Sequence, residues 1–355
     1  MALRIGIIGL PNVGKSTVFN ALTKLDVPAL NYPFCTIDPN QGMVLIPDDR
    51  LQKIAEVSQP KILTGSTIEF VDIAGLVKGA SRGEGLGNQF LAHIREMDAL
   101  AHVVRLFTAN DVASQEEGVD PLRDIEIVDL ELILADLETL QRRRERTARM
   151  LKTGEAQYRE ELALLEQYQE VLEKGIPLRR TDLPLIVDLP LLSAKPVMYI
   201  ANTNEGEYGL DPAFKEWAAA ENAEVVIMAA DFEMELSRLD PADAELFLAE
   251  AQMDKPALHR LVAAGVRLLD LLTFYTIKGD ETRSWIISRG MLGPQAAGNI
   301  HSDMERGFIR AEVIDWKILV DEGSLASCRD KGLVRIEGKD YVVQDGDVIF
   351  FRFNV

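Results

Sequence analysis

The sequence has few cysteines and no long apolar stretch. Its 355 residues include only two cysteines, Cys35 and Cys328, which argues against a disulfide framework and against a metal site built from cysteine alone. No apolar run approaches the ~20 residues that a membrane-spanning helix needs. The first residues lead directly into a predicted strand and leave no room for a signal peptide, so we expect a cytoplasmic protein without a membrane partner.

Positive charge is also scarce. The chain has 38 Lys and Arg against 57 Asp and Glu, a formal net charge of −19. Nucleic acid repels such a chain at long range, so any RNA contact requires a local basic patch. One candidate is the run of five arginines and one lysine between Arg142 and Lys152, for which a solvated helix face is the alternative.

The first motif is a phosphate-binding loop between a strand and a helix. Residues 9–17 read Gly-Leu-Pro-Asn-Val-Gly-Lys-Ser-Thr, after an apolar run at 3–8 and before a helical pattern at 18–24. In this pattern, backbone N–H groups converge on an anion at a helix N-terminus, Lys15 reaches the outer phosphates, and Ser16 ligates Mg²⁺. A glycine-containing turn that binds nothing is the alternative. The predicted nucleotide-binding residues are Asn12, Val13, Gly14, Lys15, Ser16 and Thr17.

Two further segments are predicted to complete a site for a metal-bound triphosphate. Thr36 lies in a proline-rich loop, where it is the natural second hydroxyl for Mg²⁺. The strand predicted at 67–71 ends in Asp72-Ile-Ala-Gly75. The Asp72 carboxylate is predicted to orient Mg²⁺ through water, and the Gly75 N–H to sense the γ-phosphate. The predicted catalytic residues are therefore Lys15, Asp72 and Gly75, and the predicted metal ligands are Ser16 and Thr36.

The group that positions the attacking water is not evident. Leu76 stands where Ras-like enzymes have a glutamine, and its side chain can neither donate nor accept a hydrogen bond. The glycine-rich loop at 79–87 can change shape with ligand state. His93 is one candidate for this role, and a surface histidine is the alternative.

The base-recognition motif departs from that of GTPases. In GTPases a strand ends in N-K-x-D, whereas this chain has Asn202-Thr-Asn-Glu205. Thr203 lacks the lysine stem that covers the base, and Glu205 carries its carboxylate one methylene further out. Both differences weaken guanine selection, while the Asn202 amide can accept from the 6-amino group of adenine. We therefore predict that Asn202 and Glu205 bind the base and that ATP is preferred, with a guanine-specific GTPase as an alternative.

The chain length favours two or three domains. Between Asp124 and about Lys174 only Gly154 interrupts a helical pattern, which predicts two antiparallel helices with a hinge at 152–155. From about Leu272 onward, short β-rich pieces alternate with turns and predict a small β-grasp domain. His301 and Arg306 in this region are candidates for RNA contact, with ordinary surface residues as the alternative.

Together these motifs resemble the YchF subfamily of Obg-like P-loop proteins along essentially the whole chain. The resemblance implies an α/β protein: a Ras-like P-loop NTPase domain with an inserted α-helical coiled-coil arm and a C-terminal β-grasp TGS domain. It places the nucleotide-binding domain at 1–123 and 186–271, the arm at 124–185 and the TGS domain at 272–355. The most specific segments are residues 9–17, 31–40, 70–80, 200–205 and 295–309.

The resemblance also implies a function. The family suggests a Mg²⁺-dependent ATPase that prefers ATP to GTP and associates with ribosomes. As partners we expect the large ribosomal subunit or the whole ribosome, with an rRNA contact, and we expect a monomer. Relatives with a hydrophobic residue in place of the catalytic glutamine often use K⁺ held by an asparagine, and Asn12 occupies that position. Ala229 departs from the usual Ser or Cys. A nucleotide-gated binding switch with incidental turnover is a further alternative.

Overall fold

The computed structural model describes residues 3–24, 40–73, 86–108, 119–151 and 156–354. Their backbone forms an α/β fold with two six-stranded sheets. The strands are β1 Arg4–Ile8, β2 Gln41–Leu45, β3 Ile62–Thr64, β4 Thr67–Asp72, β5 Ala99–Arg105, β6 Val197–Asn202, β7 Glu224–Met228, β8 Leu271–Lys278, β9 Glu281–Ser288, β10 Phe308–Asp315, β11 Arg335–Glu337 and β12 Asp347–Phe353.

Helices connect most of these strands. They are α1 Lys15–Thr23, α2 Asp49–Ser58, α3 Leu86–Arg95, α4 Pro121–Met150, α5 Ala156–Glu173, α6 Pro212–Ala220, α7 Ala230–Leu236, α8 Pro241–Glu250, α9 Ala257–Leu268, α10 Gly293–Ile300, α11 Ser302–Arg306, α12 Trp316–Glu322 and α13 Leu325–Asp330. Within the described ranges, none of them is both long and apolar enough to cross a membrane.

The first sheet has the strand order β2-β4-β1-β5-β6-β7. β1 pairs in parallel with β4 and β5, and β5, β6 and β7 follow in parallel. Strands of this kind are covered on both faces, which explains why Ile5, Ile7 and Ile8 are all buried. The strands predicted from apolar runs are confirmed, with ends that shift by a few residues. Because the carboxyl ends of parallel strands share one edge, the loop after β1 and the end of β4 lie together.

The two long helices α4 and α5 pack against each other in antiparallel directions. Arg143 and Thr147 on α4 both donate to Glu161 near the start of α5, at 2.6 and 2.7 Å. Leu140 and Leu165 belong to the apolar cluster between the helices. The predicted helices are therefore confirmed, although the predicted hinge at 152–155 lies outside the described residues. The coiled-coil designation of this arm remains a prediction.

A buried carboxylate helps to fix the base of this arm. Asp136 on α4 is almost fully buried and accepts hydrogen bonds from the backbone N–H groups of Leu192 and Ser193, at 2.8 and 2.7 Å. These bonds partly offset the burial that raises the pKa of Asp136. The long helix is thereby tied to the segment that leads back into β6.

The second sheet has the strand order β11-β10-β12-β8-β9-β3. Its apolar clusters lie around Phe274 and Phe308 and around Tyr275 and Val348. Of the β-rich pieces after Leu272, the one at 332–336 contributes only to β11, and the one at 341–343 forms only an isolated bridge between Val342 and Leu292. The TGS designation remains a prediction.

The residues of the chain cluster into two compact units. Within the described residues, the second unit consists of 44–68 and 265–354, and the first unit contains the others. The segment 44–68 supplies α2 and β3, and β3 pairs in parallel with β9. Helix α2 begins at Asp49 because the Asp48 side chain accepts from the Arg50 N–H and caps it. The sequence did not predict that 44–68 packs with the C-terminal part of the chain. The predicted domain bounds remain predictions.

Candidate nucleotide-binding site

The loop between β1 and α1 contains residues with left-handed backbone angles. Gly9, Asn12 and Gly14 have φ values of 147°, 62° and 98°. A Cβ atom at Gly9 would lie 2.5 Å from the Val103 carbonyl oxygen, and one at Gly14 would lie 2.3 Å from the Asn202 amide nitrogen. The loop therefore requires glycine at both positions, and Gly14 directly precedes α1.

Lys15, Ser16 and Asp72 meet at the N-terminus of α1. The Lys15 side chain is buried, and its Nζ donates to the Leu10 carbonyl oxygen at 2.7 Å. Burial lowers the pKa of Lys15, and the nearby charge of Asp72 partly offsets that effect. The Ser16 hydroxyl donates to Asp72 Oδ2 at 3.2 Å. The structure thus brings Asp72 to Lys15 and Ser16, although Asp72 lies 56 residues after Ser16, as predicted for one shared site.

The geometry of Asp72 fits a hard cation. Its Oδ1 atom is buried and has no hydrogen-bond partner within the described part of the chain. Burial raises the pKa of Asp72, while the hydrogen bond from Ser16 and the charge of Lys15 lower it. A buried acceptor without a donor has room for Mg²⁺ or for a water bound to it, and the Ser16 hydroxyl lies beside it. The second predicted ligand, Thr36, lies outside the described residues, as do Gly75, Leu76 and residues 79–85 of the glycine-rich loop, whose last two residues begin α3.

A pocket of about 720 Å³ extends from the loop along the carboxyl edge of the first sheet. That volume lies within the ordinary range for small-molecule sites. Its lining residues come from the ends of β1, β5, β6 and β7 and from α1 and α7. They are Asn12, Gly14, Thr17, Phe107, Thr108, Asn202, Thr203, Asn204, Glu205, Ala229, Asp231, Phe232 and Glu235.

Asn202 uses both ends of its amide within the protein. It is 4% exposed, its Nδ2 donates to the Val13 carbonyl oxygen at 3.0 Å, and its Oδ1 accepts from the Ala230 N–H at 3.0 Å. Because Oδ1 has a second lone pair, it can still accept from adenine, and this contact stays a prediction. Through its two bonds, Asn202 also holds the phosphate-binding loop against the start of α7.

Of the other residues of the predicted base motif, two have side chains that hydrogen-bond within the protein and one has a side chain that faces the pocket. The Thr203 side chain is buried and donates to the Met228 carbonyl oxygen at 3.4 Å. The Asn204 amide donates to Glu207 at 2.8 Å. Glu205 is exposed and lines the pocket, so its carboxylate remains available to a ligand.

Two carboxylates of the pocket were not predicted from the sequence. Asp231 and Glu235 lie one helical turn apart on α7, on the same side as the pocket. Phe107 and Phe232 add aromatic surface to the same pocket. Their place in the sequence could have identified them. These residues follow the ends of β5 and β7, and ligands bind at the carboxyl ends of the strands in parallel sheets.

The predicted RNA-contact residues are mostly engaged within the protein. Arg143 donates to Glu161 and Asp188, Arg144 donates to Gln169, and Arg306 pairs with Asp303. The His301 ring accepts from the Asp303 N–H, which caps α11. The exposed His93 lies on α3. Part of the basic run therefore serves the packing of α4 on α5.

Two family models match the chain. A model described as a 50S ribosome-binding GTPase matches residues 4–135, and a YchF GTPase C-terminal model, described as a protein of unknown function, matches residues 271–354. A Bacillus subtilis protein named ribosome-binding ATPase YchF is 47% identical, with 100% of both chains covered. A rice protein named Obg-like ATPase 1 is 41% identical, with 99% of this chain and 92% of the rice protein covered.

Solved structures show the same fold. The structure of the Schizosaccharomyces pombe YchF GTPase superimposes with a TM-score of 0.89 at 35% identity, covering 99% of this chain and 97% of that chain. A GTP binding protein from Pyrococcus horikoshii OT3 shares the fold with a TM-score of 0.65 at 20% identity, with 99% and 100% covered. The predicted Ras-like P-loop fold is thereby confirmed. Because the Bacillus subtilis relative is 47% identical over the full length of both chains, this chain belongs to the YchF family of P-loop NTPases.

Proposed function

We propose that this protein is a Mg²⁺-dependent ATPase that hydrolyses ATP to ADP and phosphate and binds the ribosome in a nucleotide-dependent manner. The observation that carries the proposal is the meeting of Lys15, Ser16 and Asp72 beneath a loop that requires Gly14. The names of the full-length relatives support ATP and the ribosome as partners. The proposal includes a monomer in the cytoplasm that contacts rRNA of the large subunit or the whole ribosome.

Each predicted site residue has a role in this proposal. Backbone N–H groups of residues 12–17 hold the phosphates, and Lys15 Nζ leaves the Leu10 carbonyl to reach the outer ones. Ser16 and Thr36 hold Mg²⁺, Asp72 holds a water in its shell, and the Gly75 N–H senses the γ-phosphate. When bound, Mg²⁺ neutralises charge on the phosphate oxygens. A K⁺ ion held by Asn12 is part of the same proposal.

The free side chains at the base end of the pocket support a preference for ATP. Glu205, Asp231 and Glu235 present carboxylates, which only accept hydrogen bonds. The 6-amino group of adenine donates to such an acceptor, whereas the 6-carbonyl of guanine is repelled by it. We therefore count these carboxylates, together with the Asn202 amide oxygen, among the acceptors that the proposal gives to the 6-amino group of adenine.

A guanine-specific GTPase is the second candidate. The Schizosaccharomyces pombe relative is named a GTPase, and the Glu205 carboxylate can also accept from the ring N–H of guanine. Competition between ATP and GTP for the purified protein decides between the two candidates. Displacement of bound ATP by an equal concentration of GTP would contradict the preference.

The test of the phosphate site is the Lys15→Ala variant. We expect ATP turnover to fall about 10²- to 10³-fold, because the variant loses a cation that stabilises the transferring phosphoryl group. Lys24→Ala is the matched control, since Lys24 is exposed at the end of the same helix. A Lys15→Ala protein that hydrolyses ATP at the parental rate would overturn the assignment.

Ribosome co-sedimentation with ATP, ADP and a non-hydrolysable ATP analogue separates the enzyme from a pure switch. For a coupled ATPase, we expect binding to follow the nucleotide state and turnover to change when ribosomes are added. Binding that follows occupancy while turnover stays constant would favour the nucleotide-gated switch.

A further inference from the structure

Negative charge is unevenly distributed along the chain. Segments 44–68 and 265–354, which form the second unit, contain 15 Lys and Arg against 17 Asp and Glu, a formal net charge of −2. The chain as a whole carries −19, so nearly all of the excess lies in the remaining sequence. Electrostatic repulsion of a polyanion is therefore weakest at the second unit.

Two arginines lie directly opposite each other on neighbouring strands of this unit. Arg310 on β10 is the register partner of Arg352 on β12, and both are exposed. Like charges at opposed positions on one face of an antiparallel pair are destabilising. Sheet stability alone therefore does not account for this pair.

Glu312 compensates only part of this charge. It lies two residues after Arg310 on the same face of β10, where it accepts from Arg352 Nε at 2.9 Å and from Arg329 Nη2 at 3.1 Å. The hydrogen bond from Arg352 is the main cause of the lowered pKa of Glu312, so the carboxylate stays ionised. The Arg310 side chain has no hydrogen bond or ion pair with any residue in the part of the chain described here. One carboxylate thus faces three guanidinium groups.

Two of the guanidinium groups are held in place before any ligand arrives. Arg352 contacts Glu312 through two nitrogens, and Arg329 lies over the Phe350 ring at 5.6 Å from its centre. Their side chains remain 52% and 46% exposed. Because these cations are already ordered yet accessible, an anion binds them with a small loss of side-chain entropy.

We propose that Arg310, Arg329 and Arg352 form a binding site for phosphate groups of the RNA backbone. Planar guanidinium groups match the oxygens of phosphate, and an exposed group of them, two on neighbouring strands and one on α13, suits successive phosphates of one strand. This inference rests on the proposed ribosome binding and assigns a surface to its rRNA contact. It replaces the basic run on α4, whose arginines are partly neutralised.

The first test measures binding of the full-length protein to a labelled single-stranded RNA oligonucleotide of mixed sequence at several salt concentrations. For Arg310→Gln, we expect weaker binding and a slope of log K against log salt that is smaller by about 0.7, the effect of one lost phosphate contact. Arg289→Gln is the matched control. Arg289 is an exposed arginine of the same unit, it follows the last residue of β9, and it pairs with Asp270 rather than with a residue of the proposed site. Equal changes in both variants would overturn the proposal.

A second variant, Glu312→Gln, is expected to change RNA binding in the direction opposite to Arg310→Gln. It removes the carboxylate that lies among the three arginines, so we expect tighter RNA binding and a steeper salt dependence. Weaker RNA binding by a Glu312→Gln protein with unchanged circular dichroism would contradict the proposal. Displacement of the RNA by polyglutamate at equal charge would assign the site to an acidic protein, and displacement by inorganic phosphate would assign it to a small anion; either result overturns the RNA assignment.

The failure of this site and the failure of the proposed function are distinguishable. Arg310→Gln is expected to keep the parental ATP turnover, because Arg310 is no part of the nucleotide pocket, and to reduce ribosome co-sedimentation. If the unsubstituted protein neither turns over ATP nor binds ribosomes, the proposed function fails. If it does both and Arg310→Gln retains full ribosome binding, only the RNA site fails.

Discussion

Asn202 connects two segments of the first unit that are far apart in the chain. Its amide joins the carbonyl of Val13 in the phosphate-binding loop to the N–H of Ala230 at the start of α7. Both partners are polar backbone groups in a buried environment, where an unpaired donor or acceptor is costly. The stability of the pocket therefore depends on one side chain.

Asn202→Ala is expected to lower the free energy of unfolding by about 1–3 kcal/mol and to weaken ATP binding, because it leaves two buried backbone groups unpaired. Urea unfolding and titration calorimetry measure the two effects. Asn204→Ala is the control, since the Asn204 amide makes a hydrogen bond at the surface with Glu207. A fully stable Asn202→Ala protein would show that water satisfies these groups.

His102 predicts a dependence of stability on pH. It is fully buried on β5, and its Nε2 has no hydrogen-bond partner among the described residues. Burial lowers its pKa to about 4. The charge of Asp129 opposes this effect, and the charges of Arg179 and Lys15 add to it. Below the ordinary histidine pKa of about 6.5, the unfolded chain takes up a proton that the folded protein does not. Stability therefore falls as the pH drops from about 6.5 towards 4, by up to about 1.4 kcal/mol per pH unit from this residue.

Urea unfolding at pH 7 and pH 5 checks this expectation. His102→Leu should lose most of the difference between the two values, whereas His93→Gln should keep it, because His93 is exposed. If His102→Leu and the parental protein lose the same stability between these pH values, other groups cause the effect.

At the scale of secondary structure, sequence periodicity located the long elements and missed the short ones. The 30 residues of α4 and the 18 of α5 carry apolar positions at helical spacing, so their packing was predictable. β3 has only three residues and no alternating pattern, and it becomes a strand because β9 offers it an edge. Likewise, the roles of Asp231 and Glu235 depend on the pocket that α7 completes, which no local pattern reveals.

The pairing of α4 with α5 depends on an ion pair that responds to acid. The hydrogen bond from Arg143 is the main cause of the lowered pKa of Glu161, so the folded pKa lies below the unfolded one. The stabilisation is present above about pH 4.5 and is lost as the pH falls through the lower folded value. Glu161→Gln is expected to cost about 1 kcal/mol at pH 7 and less at pH 3.5, as measured by urea unfolding. Glu160→Gln, an exposed neighbour, should show no such difference.

At the scale of the whole molecule, residues 44–68 belong structurally to a unit that lies mostly at the other end of the sequence. Ser58 and Thr282 share a hydrogen bond of 2.9 Å, and Arg50 pairs with Asp345 at 2.7 Å. The match of the C-terminal family model to residues 271–354 gave no sign of this segment.

Residues 265–355 produced alone are therefore expected not to fold stably. Without 44–68, β9 becomes an unpaired edge, and the apolar surface covered by Leu51 and Ile54 is exposed, at about 1.5–3 kcal/mol for each side chain. Circular dichroism during urea unfolding measures this, and joining 44–68 through a flexible linker should restore a cooperative transition. Cooperative unfolding of the short fragment at the parental midpoint would refute the expectation.

Within the described residues, the chain passes between the two units at 43–44, 68–69 and 264–265. A protease that cuts only near residue 264 would leave 44–68 covalently attached to the first unit, and only non-covalent packing on 44–68 would then retain the fragment from 265 onward. A premature stop codon at the same point would not remove a detachable module, because it would strand α2 and β3 without their neighbours. Truncations of this gene product should consequently be treated as lesions of the entire polypeptide, including the strand that ends at Asp72.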